Sequence, residues 1–512
     1  MISIHGPATS KINRFDPLYA SLVEANRRLS RKDFTLWGDK AESEAKHRLN
    51  WIGLPTSSHI LLPELDALHA KFRSRTRVIL CGMGGSSLAP EVIASTYGKD
   101  LFVLDSTDPN YIVRALNTDL SKAIIVVSSK SGSTIETSSQ RALFLARLEK
   151  ENLDPKEHLI FVTDPSSPLD IEARGKGFTV INADPEVGGR FSALSAFGLV
   201  PSAILGIDVS VILDSASDAL ISLTQDDSPA IDLAYLLAYS TSQYCSLSDS
   251  DSGMVGLSDW IEQLVAESTG KDGVGRLPIV IESNLAPVSG VSLNIAFTGK
   301  SDLVVEASLG EHFILWEWVT SLVGYALQID PFNQPNVTEA KEKTSALLGA
   351  GAGIAPALIP TSKDGSIDIY GTAKSTQEAL LKIIDSVSND GYIAIMAYLD
   401  REGDKELAQL RQILANRSNR PVTFGWGPRF LHSTGQIHKG GQQNGVFLQI
   451  TGESAEKIEI PGENFSFNTL IAAQALGDAQ TLTSRGRTVI RLHLNDRVAG
   501  ISEILAAARA II

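Results

Sequence analysis

The sequence has few of the features that mark secreted, membrane-spanning or metal-binding proteins. Only two of its 512 residues are cysteines, Cys81 and Cys245, which excludes a disulfide framework and favours a reducing cytoplasm. No apolar run approaches the roughly 20 residues of a membrane-spanning helix, and the first residues lack the apolar core of a secretory signal. Nine histidines and two cysteines show no metal-ligand spacing. We therefore expect a cytoplasmic protein with no membrane partner, no metal and no cofactor.

Positive charge is also scarce. The 45 Lys and Arg residues are outnumbered by 59 Asp and Glu, for a formal net charge of −14. A nucleic-acid partner is not expected, because phosphate contacts along a nucleic acid need clustered cations. A small phosphate-bearing ligand needs only a few local cations, and the acidity leaves that class open.

Short apolar runs alternate with amphipathic segments from residue 77 onwards. Strands are predicted at 78–81, 101–105, 124–128, 159–164, 178–182, 277–282, 293–298, 303–306, 392–398, 422–426, 446–451 and 488–494. Strands that alternate with helices predict mainly parallel sheets covered on both faces. We predict an α/β protein with two doubly wound domains, 76–212 and 213–512, after a helical extension at 1–75. Residues 214–251 are predicted to be mainly helical, and 346–376 form a Gly/Pro/Ser-rich excursion.

Two strand-to-helix loops have the composition of anion sites. The first reads CGMGGSS from Cys81, and its glycines let backbone N–H groups approach an anion at a helix N-terminus. It is not the G-x-G-x-x-G dinucleotide fingerprint, and an ordinary tight turn is the alternative. The second reads SSKSGSTIET from Ser128, with hydroxyls at Ser129, Ser131, Ser133 and Thr134 and a cation at Lys130. Helix capping is its alternative, but one cap does not need five hydroxyl residues.

Four further motifs carry titratable or cationic side chains. VGGRFS holds Arg190 behind two glycines, QLVAESTGK places Glu267 near a helix end, QPNVTEAK ends at Lys341, and FLHSTGQIHKGG contains His432 and a second histidine. Arg, Glu and His are the residue types that stabilise an oxyanion or transfer a proton. Each also has an ordinary interpretation as a surface turn, a solvated helix end or a polar loop, and no single motif decides.

The order of these motifs resembles the phosphoglucose isomerase family, which is built from two sugar isomerase (SIS) domains. The resemblance covers roughly residues 50–345 and is most specific at VGGRFS and QLVAESTGK. It is closest to the isomerase half of bifunctional transaldolase/phosphoglucose isomerases. The resemblance assigns Ser129, Lys130, Ser131 and Thr134 to the phosphate loop, Gly85 and Ser86 to the sugar-contacting turn, Arg190 to the enediolate, Glu267 to proton transfer, and Gln334 and Lys341 to the pair near ring opening.

One departure concerns the catalytic histidine. The family usually carries it in a motif like H-S-x-G-Q between the Glu and Lys motifs, whereas here His432-Ser-Thr-Gly-Gln lies after Lys341. Either His432 has taken the role after a rearrangement of the second domain, or another histidine such as His312 has. We favour His432. In the family this histidine comes from a partner subunit, and the resemblance therefore implies a homodimer.

The resemblance implies the aldose–ketose isomerisation of glucose 6-phosphate and fructose 6-phosphate through a cis-enediolate, a step of glycolysis and gluconeogenesis. One alternative is an isomerase for another sugar phosphate, such as mannose 6-phosphate or an amino sugar. The other is a non-catalytic SIS protein that senses sugar phosphates, which would need the phosphate loop but not Glu267 and Arg190 together.

Overall fold

The computed structural model describes residues 2–240, 242–284, 286, 288–349 and 359–511. The chain begins with a short strand and four helices. These elements are β1 (Ser3–His5), α1 (Pro17–Ser30), α2 (Asp39–Ala45), α3 (Leu54–Ser57) and α4 (Leu62–Phe72). The expected helical extension is therefore present, with β1 as an unpredicted addition.

The first sheet is fully parallel and has the strand order β3-β2-β4-β5-β6. Its elements are β2 (Arg77–Cys81), α5 (Leu88–Thr96), β3 (Leu101–Leu104), α6 (Pro109–Leu116), β4 (Ala123–Ser128), α7 (Ile135–Lys150), β5 (Leu159–Thr163), α8 (Pro168–Gly175) and β6 (Thr179–Asn182). All six residues of β4 are buried, as expected for the centre of a sheet with helices on both faces. All five strands lie where the apolar runs predicted them.

The second sheet has the order β1-β10-β9-β7-β8, parallel except at the β1 edge. It comes after three helices, α9 (Ala196–Ile204), α10 (Val209–Leu223) and α11 (Pro229–Tyr239). Its own elements are β7 (Tyr244–Ser248), α12 (Leu257–Thr269), β8 (Leu277–Val280), β9 (Asn294–Ala296), β10 (Leu303–Glu306) and α13 (Leu309–Ala326), and α14 (Pro335–Gly349) comes after them. Residues 214–251 are mainly helical as predicted, through α10 and α11, but the strand β7 within them was not expected. This strand alternates serine with apolar residues. Ser246 can be buried because its hydroxyl has a hydrogen-bond acceptor inside the sheet, Asn294 Oδ1 (2.7 Å).

The third sheet has the order β11-β12-β16-β15-β13-β14 and is parallel from β16 to β14. Its elements are β11 (Ser362–Asp364), β12 (Ile367–Tyr370), α15 (Thr376–Ser386), β13 (Tyr392–Tyr398), α16 (Gln409–Ser418), β14 (Val422–Trp426), α17 (Gly435–Gly440), β15 (Gly445–Gly452), α18 (Phe467–Ser484), β16 (Thr488–Leu494) and α19 (Arg497–Ala510). Part of the predicted 346–376 excursion is the β11–β12 hairpin, whose two-residue turn is Gly365-Ser366, a hairpin signal. Residues 350–358 of that excursion lie outside the described residues.

The α/β class with mainly parallel sheets is confirmed. The number of sheets differs from the expectation, since residues 213–512 contribute to two separate sheets instead of one. The sequence pattern could not show this, because strands of either sheet have the same apolar runs and only tertiary pairing assigns them. The domain boundaries themselves stay a prediction.

Candidate active site

The site residues singled out from the sequence lie together in a cleft of about 370 Å³. The cleft lies at the carboxyl ends of β2 and β4, where doubly wound folds bind ligands. Its walls include Gly85, Ser86, Ser129, Lys130, Ser131, Thr134, Arg190, Glu267, Gln334, Lys341 and His432. The fold therefore gathers motifs that are distant in sequence, while the chemical role of each residue stays a prediction.

The two glycine-rich motifs meet backbone to backbone at the rim of the cleft. Gly85 lies in the turn after β2, and a Cβ there would overlap the carbonyl oxygen of Gly189. A residue with any side chain would push the two loops apart, so glycine is required at this contact. The contact places Arg190, the neighbour of Gly189, opposite the CGMGGSS loop.

The hydroxyl-rich loop connects β4 to the N-terminus of α7. Ser129 Oγ accepts a hydrogen bond from Gly132 N (3.1 Å) and lies 3.4 Å from Thr134 Oγ1, while the hydroxyls of Ser131 and Ser133 are 2.8 Å apart. Thr134 occupies the N-cap position of α7 but makes no side-chain capping bond. The hydroxyls are thus not engaged in capping, and they border the open N-terminus of a 16-residue helix, a favourable place for an anion.

The sequence suggested that Lys130 directs its positive charge at the cleft, but in the structure the ammonium group is also paired with a carboxylate. Its Nζ lies 2.6 Å from Asp164 Oδ2 and donates to the carbonyl oxygen of Pro185 (3.0 Å). Burial raises the pKa of the Asp164 carboxyl, although the hydrogen bond from Lys130 opposes that rise. The ammonium group therefore both fixes the loop and shares its charge with a carboxylate.

Arg190 and Glu267 form a buried ion pair in the cleft. Their side chains are 3% and 11% exposed, and Nη1 lies 3.1 Å from Glu267 Oε1. Burial lowers the pKa of Arg190, an effect that the charge of Glu267 opposes. The guanidinium also donates to Ser268 Oγ (2.8 Å), Gln334 Oε1 (2.9 Å) and the carbonyl oxygens of Pro331 (2.7 Å) and Asn333 (3.0 Å). These partners hold the guanidinium plane in one orientation beside the carboxylate.

His432 reaches the same cleft from the third sheet of the same chain. Gln263 Nε2 donates both to Glu267 Oε2 (3.2 Å) and to the carbonyl oxygen of His432 (2.8 Å). His432 Nε2 lies 2.9 Å from Glu136 Oε1, which also accepts from Gln474 Nε2 (2.7 Å). Burial alone would raise the pKa of Glu136, but the charge and hydrogen bond of His432 hold it below its ordinary value.

The other histidines considered from the sequence lie away from the cleft. His312 is buried in α13 against Phe297, and burial lowers its pKa to about 3. His438, the second histidine of the His432 motif, is buried beside Tyr392, with its Nδ1 2.8 Å from the tyrosine hydroxyl. Burial lowers the pKa of His438 to about 3 as well. Among the histidines considered, the geometry therefore favours His432.

Gln334 and Lys341 come to the cleft through α14. Gln334 lies just before this helix and accepts from Arg190, whereas the exposed Lys341 lies within it. The charge of Lys341 contributes to the lowered pKa of Glu136. Gln334 and Lys341 therefore lie on one wall, at the start of α14 and within it. Lys341 lines a space together with Glu136 and the hydroxyl-rich loop.

Four contributors to the site were not predicted individually: Glu136, Gln263, Lys271 and Gln474. Three of them stand inside quoted motifs, where their polar side chains resembled ordinary helix residues. Gln474 had no local signal, because it meets Glu136 across 338 positions of sequence. Lys271 is 2% exposed and donates to three acceptors on the loop before Gln334, namely Asp330 O (2.6 Å), Asn333 O (2.6 Å) and Asn333 Oδ1 (2.9 Å).

The described residues contain no group of three or more His, Cys, Asp or Glu side chains placed to hold a metal ion. Within the same residues, every helix is too short or too polar to cross a bilayer.

Comparison with known proteins agrees with this geometry. Residues 68–273 match the family model described as phosphoglucose isomerase. This segment is similar to the phosphoglucose isomerase family. A probable glucose-6-phosphate isomerase of Haloarcula marismortui is 35% identical over 210 residues, which cover 39% of this chain and 48% of that protein. The glucose-6-phosphate isomerase of Methanocaldococcus jannaschii is 30% identical over 250 residues, covering 47% and 61%.

The solved structure of a glucose-6-phosphate isomerase from Chlamydia trachomatis has the same fold. Its TM-score is 0.54 at 17% sequence identity, over 68% of this chain and 88% of that one. The chain spans about half the length of the first curated relatives it matches. The phosphoglucose isomerase match includes Arg190 and Glu267 but ends before Gln334, Lys341 and His432.

Proposed function

We propose that the chain is a glucose-6-phosphate isomerase that interconverts glucose 6-phosphate and fructose 6-phosphate through a cis-enediolate. The observation that carries the proposal is the buried Arg190–Glu267 pair beside the hydroxyl-rich loop in one cleft. The segment that contains both residues matches the family model described as phosphoglucose isomerase, and relatives of 30–35% identity are named glucose-6-phosphate isomerase.

The substrate phosphate is proposed to bind at the loop of Ser129, Ser131 and Thr134, at the N-terminus of α7. The hydroxyls and the helix N-terminus supply hydrogen-bond donors, and Lys130 holds the loop from its Asp164 side. Binding energy from the phosphate is remote from the reacting carbons and positions them for the chemical step. Gly85 and Ser86 are proposed to contact the sugar at the opposite rim.

Glu267 is proposed to remove the proton from C2 and return it to C1. A base must lie within hydrogen-bond reach of the proton that it takes, and Gln263 and Arg190 hold both carboxylate oxygens in place. Proton removal leaves negative charge on the enediolate oxygens. The fixed guanidinium of Arg190 provides the positive charge that stabilises this intermediate.

His432 is proposed to protonate the ring oxygen and open the sugar, with Lys341 nearby in the same wall. Glu136 contacts Nε2 of the imidazole and fixes the ring orientation. Gln334 orients Arg190 and in this proposal also contacts the substrate.

The test is Glu267→Gln, with Glu262→Gln on the same helix as the matched control, since Glu262 does not line the cleft. We expect Glu267→Gln to lose isomerase turnover by orders of magnitude while fructose 6-phosphate still binds. The control should keep its turnover. Near-normal turnover of Glu267→Gln would overturn the proposal.

The two alternatives make different predictions in the same assay. An isomerase for another sugar phosphate would turn over mannose 6-phosphate or an amino-sugar phosphate faster than glucose 6-phosphate. A sugar-phosphate sensor would bind these compounds and turn over none of them. The sensor has no use for a proton-transfer carboxylate held against an arginine, so the Arg190–Glu267 pair favours the enzyme.

A homodimer and a cytoplasmic location remain part of the proposal. His432 reaches the cleft within one chain, so a partner subunit is not needed to supply this histidine. Sedimentation of the purified chain would measure its oligomeric state. The location is supported by two buried cysteines, Cys81 and Cys245, which are not joined by a disulfide.

A further inference from the structure

A second cavity, of about 380 Å³, lies at the carboxyl ends of β13, β15 and β16 in the third sheet. Such crevices are the usual ligand positions of doubly wound sheets, and the volume lies in the range of small-molecule sites. One wall is the apolar face of α18 formed by Ile471, Ala472, Ala475 and Leu476. The opposite wall is polar and includes Arg491.

This cavity is separate from the cleft that contains Glu267. The helix α18 borders both regions but uses different residues for each. Gln474 lines the space that adjoins the first cleft at His432 and hydrogen bonds to Glu136 there, whereas Ala475 and Leu476 face the second cavity. No residue is common to the walls of the two spaces in the described part of the chain.

Arg491 is a cation in the second cavity with no carboxylate partner among the described residues. Its Nε donates to Gln449 Oε1 (2.8 Å), and its guanidinium carbon lies 5.2 Å from the centre of the Tyr370 ring. The terminal nitrogens make no further hydrogen bond with a described residue. Burial lowers the pKa of Arg491, so the fold accepts the cost of holding this charge away from water. A half-buried cation that lacks a carboxylate partner is stabilised by a bound anion.

The rest of the polar wall suits hydroxyl groups. Asp368 accepts from Asn495 Nδ2 (3.1 Å) and lies 3.3 Å from Lys363 Nζ, which leaves carboxylate lone pairs for further donors. His493 Nδ1 lies 2.8 Å from Thr451 Oγ1, and both residues line the cavity. An anchor for an anion and acceptors for hydroxyls therefore stand in one space.

We propose that this cavity is a second binding site for a small anionic polyol, a sugar phosphate or a sugar acid, with Arg491 as the anchor of the anionic group. A guanidinium binds phosphate or carboxylate through two parallel hydrogen bonds. The Tyr370 ring beside the guanidinium and the hydrogen bond to Gln449 restrict its position. The site is independent of the isomerase proposal.

The test counts binding sites on the full chain by isothermal titration calorimetry with 6-phosphogluconate, which carries both anionic groups and has no carbonyl to isomerise. We expect two equivalents per chain for the wild type and one for Arg491→Met. The double variant Ser129→Ala/Ser131→Ala should instead lose the equivalent bound in the first cleft. Gluconate and glycerol 3-phosphate, titrated separately, show whether the carboxylate or the phosphate is preferred at Arg491.

Ala472→Trp is a second variant that does not depend on removing the charge of Arg491. Ala472 is exposed at the cavity wall, so a large ring there blocks the cavity without disturbing the core. It should also reduce the count to one and leave isomerase activity unchanged. A number of bound equivalents that is the same in the wild type, in folded Arg491→Met and in Ala472→Trp would overturn the second site.

Discussion

Glu267 shows how neighbouring side chains prepare a single residue for its proposed chemical role. By sequence it is a glutamate near the end of an amphipathic helix, a position usually exposed to water. In the structure one oxygen meets Arg190 and the other meets Gln263, and the side chain is 11% exposed. A carboxylate fixed at both oxygens in a cleft is suited to directed proton transfer, because its orientation does not have to be found at each turnover.

Lys271 is a positioning residue for this pair. Its ammonium group binds Asp330 O and Asn333 O on the loop that carries Gln334, and Asn333 O also accepts from Arg190. Burial lowers the pKa of Lys271 to about 7, with the positive charge of Arg190 acting in the same direction. Lys271 therefore fixes the loop, although its ammonium group lies close to the positive charge of Arg190.

We expect Lys271→Met to lower kcat/KM by roughly 10- to 100-fold, because a loosened loop misplaces groups that must be held to within an ångström. The measurement is the separate determination of kcat and KM for fructose 6-phosphate. Lys343→Met, at a partly exposed ion pair with Glu339 on the surface, is the control and should keep both constants. A Lys271→Met protein with unchanged kinetics and unchanged thermal stability would contradict the positioning role.

At the scale of one element, α13 is a buried helix that carries polar residues in its core. It has 18 residues, and both carboxylate oxygens of Glu317 lack a hydrogen-bond partner among the described residues. Burial raises the pKa of Glu317 well above its ordinary value. The folded protein therefore holds this side chain protonated at pH values where the unfolded chain has released the proton.

The sign of the resulting pH dependence is set by linkage. Above the unfolded pKa of about 4.3 the folded state binds more protons at Glu317 than the unfolded state, so the free energy of unfolding falls as pH rises. Gln at this position does not titrate. We expect the stability of the wild type relative to Glu317→Gln to fall between pH 5 and pH 8, by at most about 1.4 kcal/mol per pH unit. Urea unfolding at each pH measures the free energy of unfolding, and Glu342→Gln is an exposed control. If the free energies of unfolding of the wild type and Glu317→Gln differed by the same amount at every pH, the prediction would be refuted.

At the scale of the whole molecule, the third sheet and its helices complete the first cleft. Arg401 and Arg429 from the third sheet's unit contact Glu91 and Asp105 of the first, and all four side chains are largely buried. Breaking a buried pair of this kind costs about 3–5 kcal/mol, so the units are expected to remain together. Their docking is what carries His432 to Glu136 and Gln263.

Because Glu267 and His432 serve one cleft of one chain, their variants should not complement each other. We expect co-expressed Glu267→Gln and His432→Asn chains to be as inactive as either variant alone. If the site were assembled across two subunits, mixed dimers would contain sites with both wild-type side chains and activity would return. Turnover of the co-purified mixture, compared with each variant alone, decides between these outcomes.

Much of the fold was predictable because apolar runs mark the strands of parallel sheets. All five strands of the first sheet obey this rule, and so do β13 to β16 of the third. The missed strands break it: β7 alternates serine with apolar residues, β11 and β12 form a short hairpin, and β1 has only three residues at a sheet edge. The cleft was predictable as a set of motifs, since loops after parallel strands meet at one edge of a sheet. The hydrogen-bond partners of these motifs could not be predicted, because tertiary packing alone brings residues such as Gln474 and Glu136 together.

The sequence by itself determined the α/β class, the phosphoglucose isomerase resemblance, and the residue types of the cleft, because these depend on local patterns and on short motifs. Tertiary structure alone decided that 213–512 form parts of two sheets, that Lys130 is paired with Asp164, and that His432 arrives within the same chain. It also decided the placement of Arg491 in a second cavity, where no described carboxylate pairs with it. The physical reason is common to all of these: charge pairing and burial depend on which distant segments pack together, and no local pattern encodes that choice.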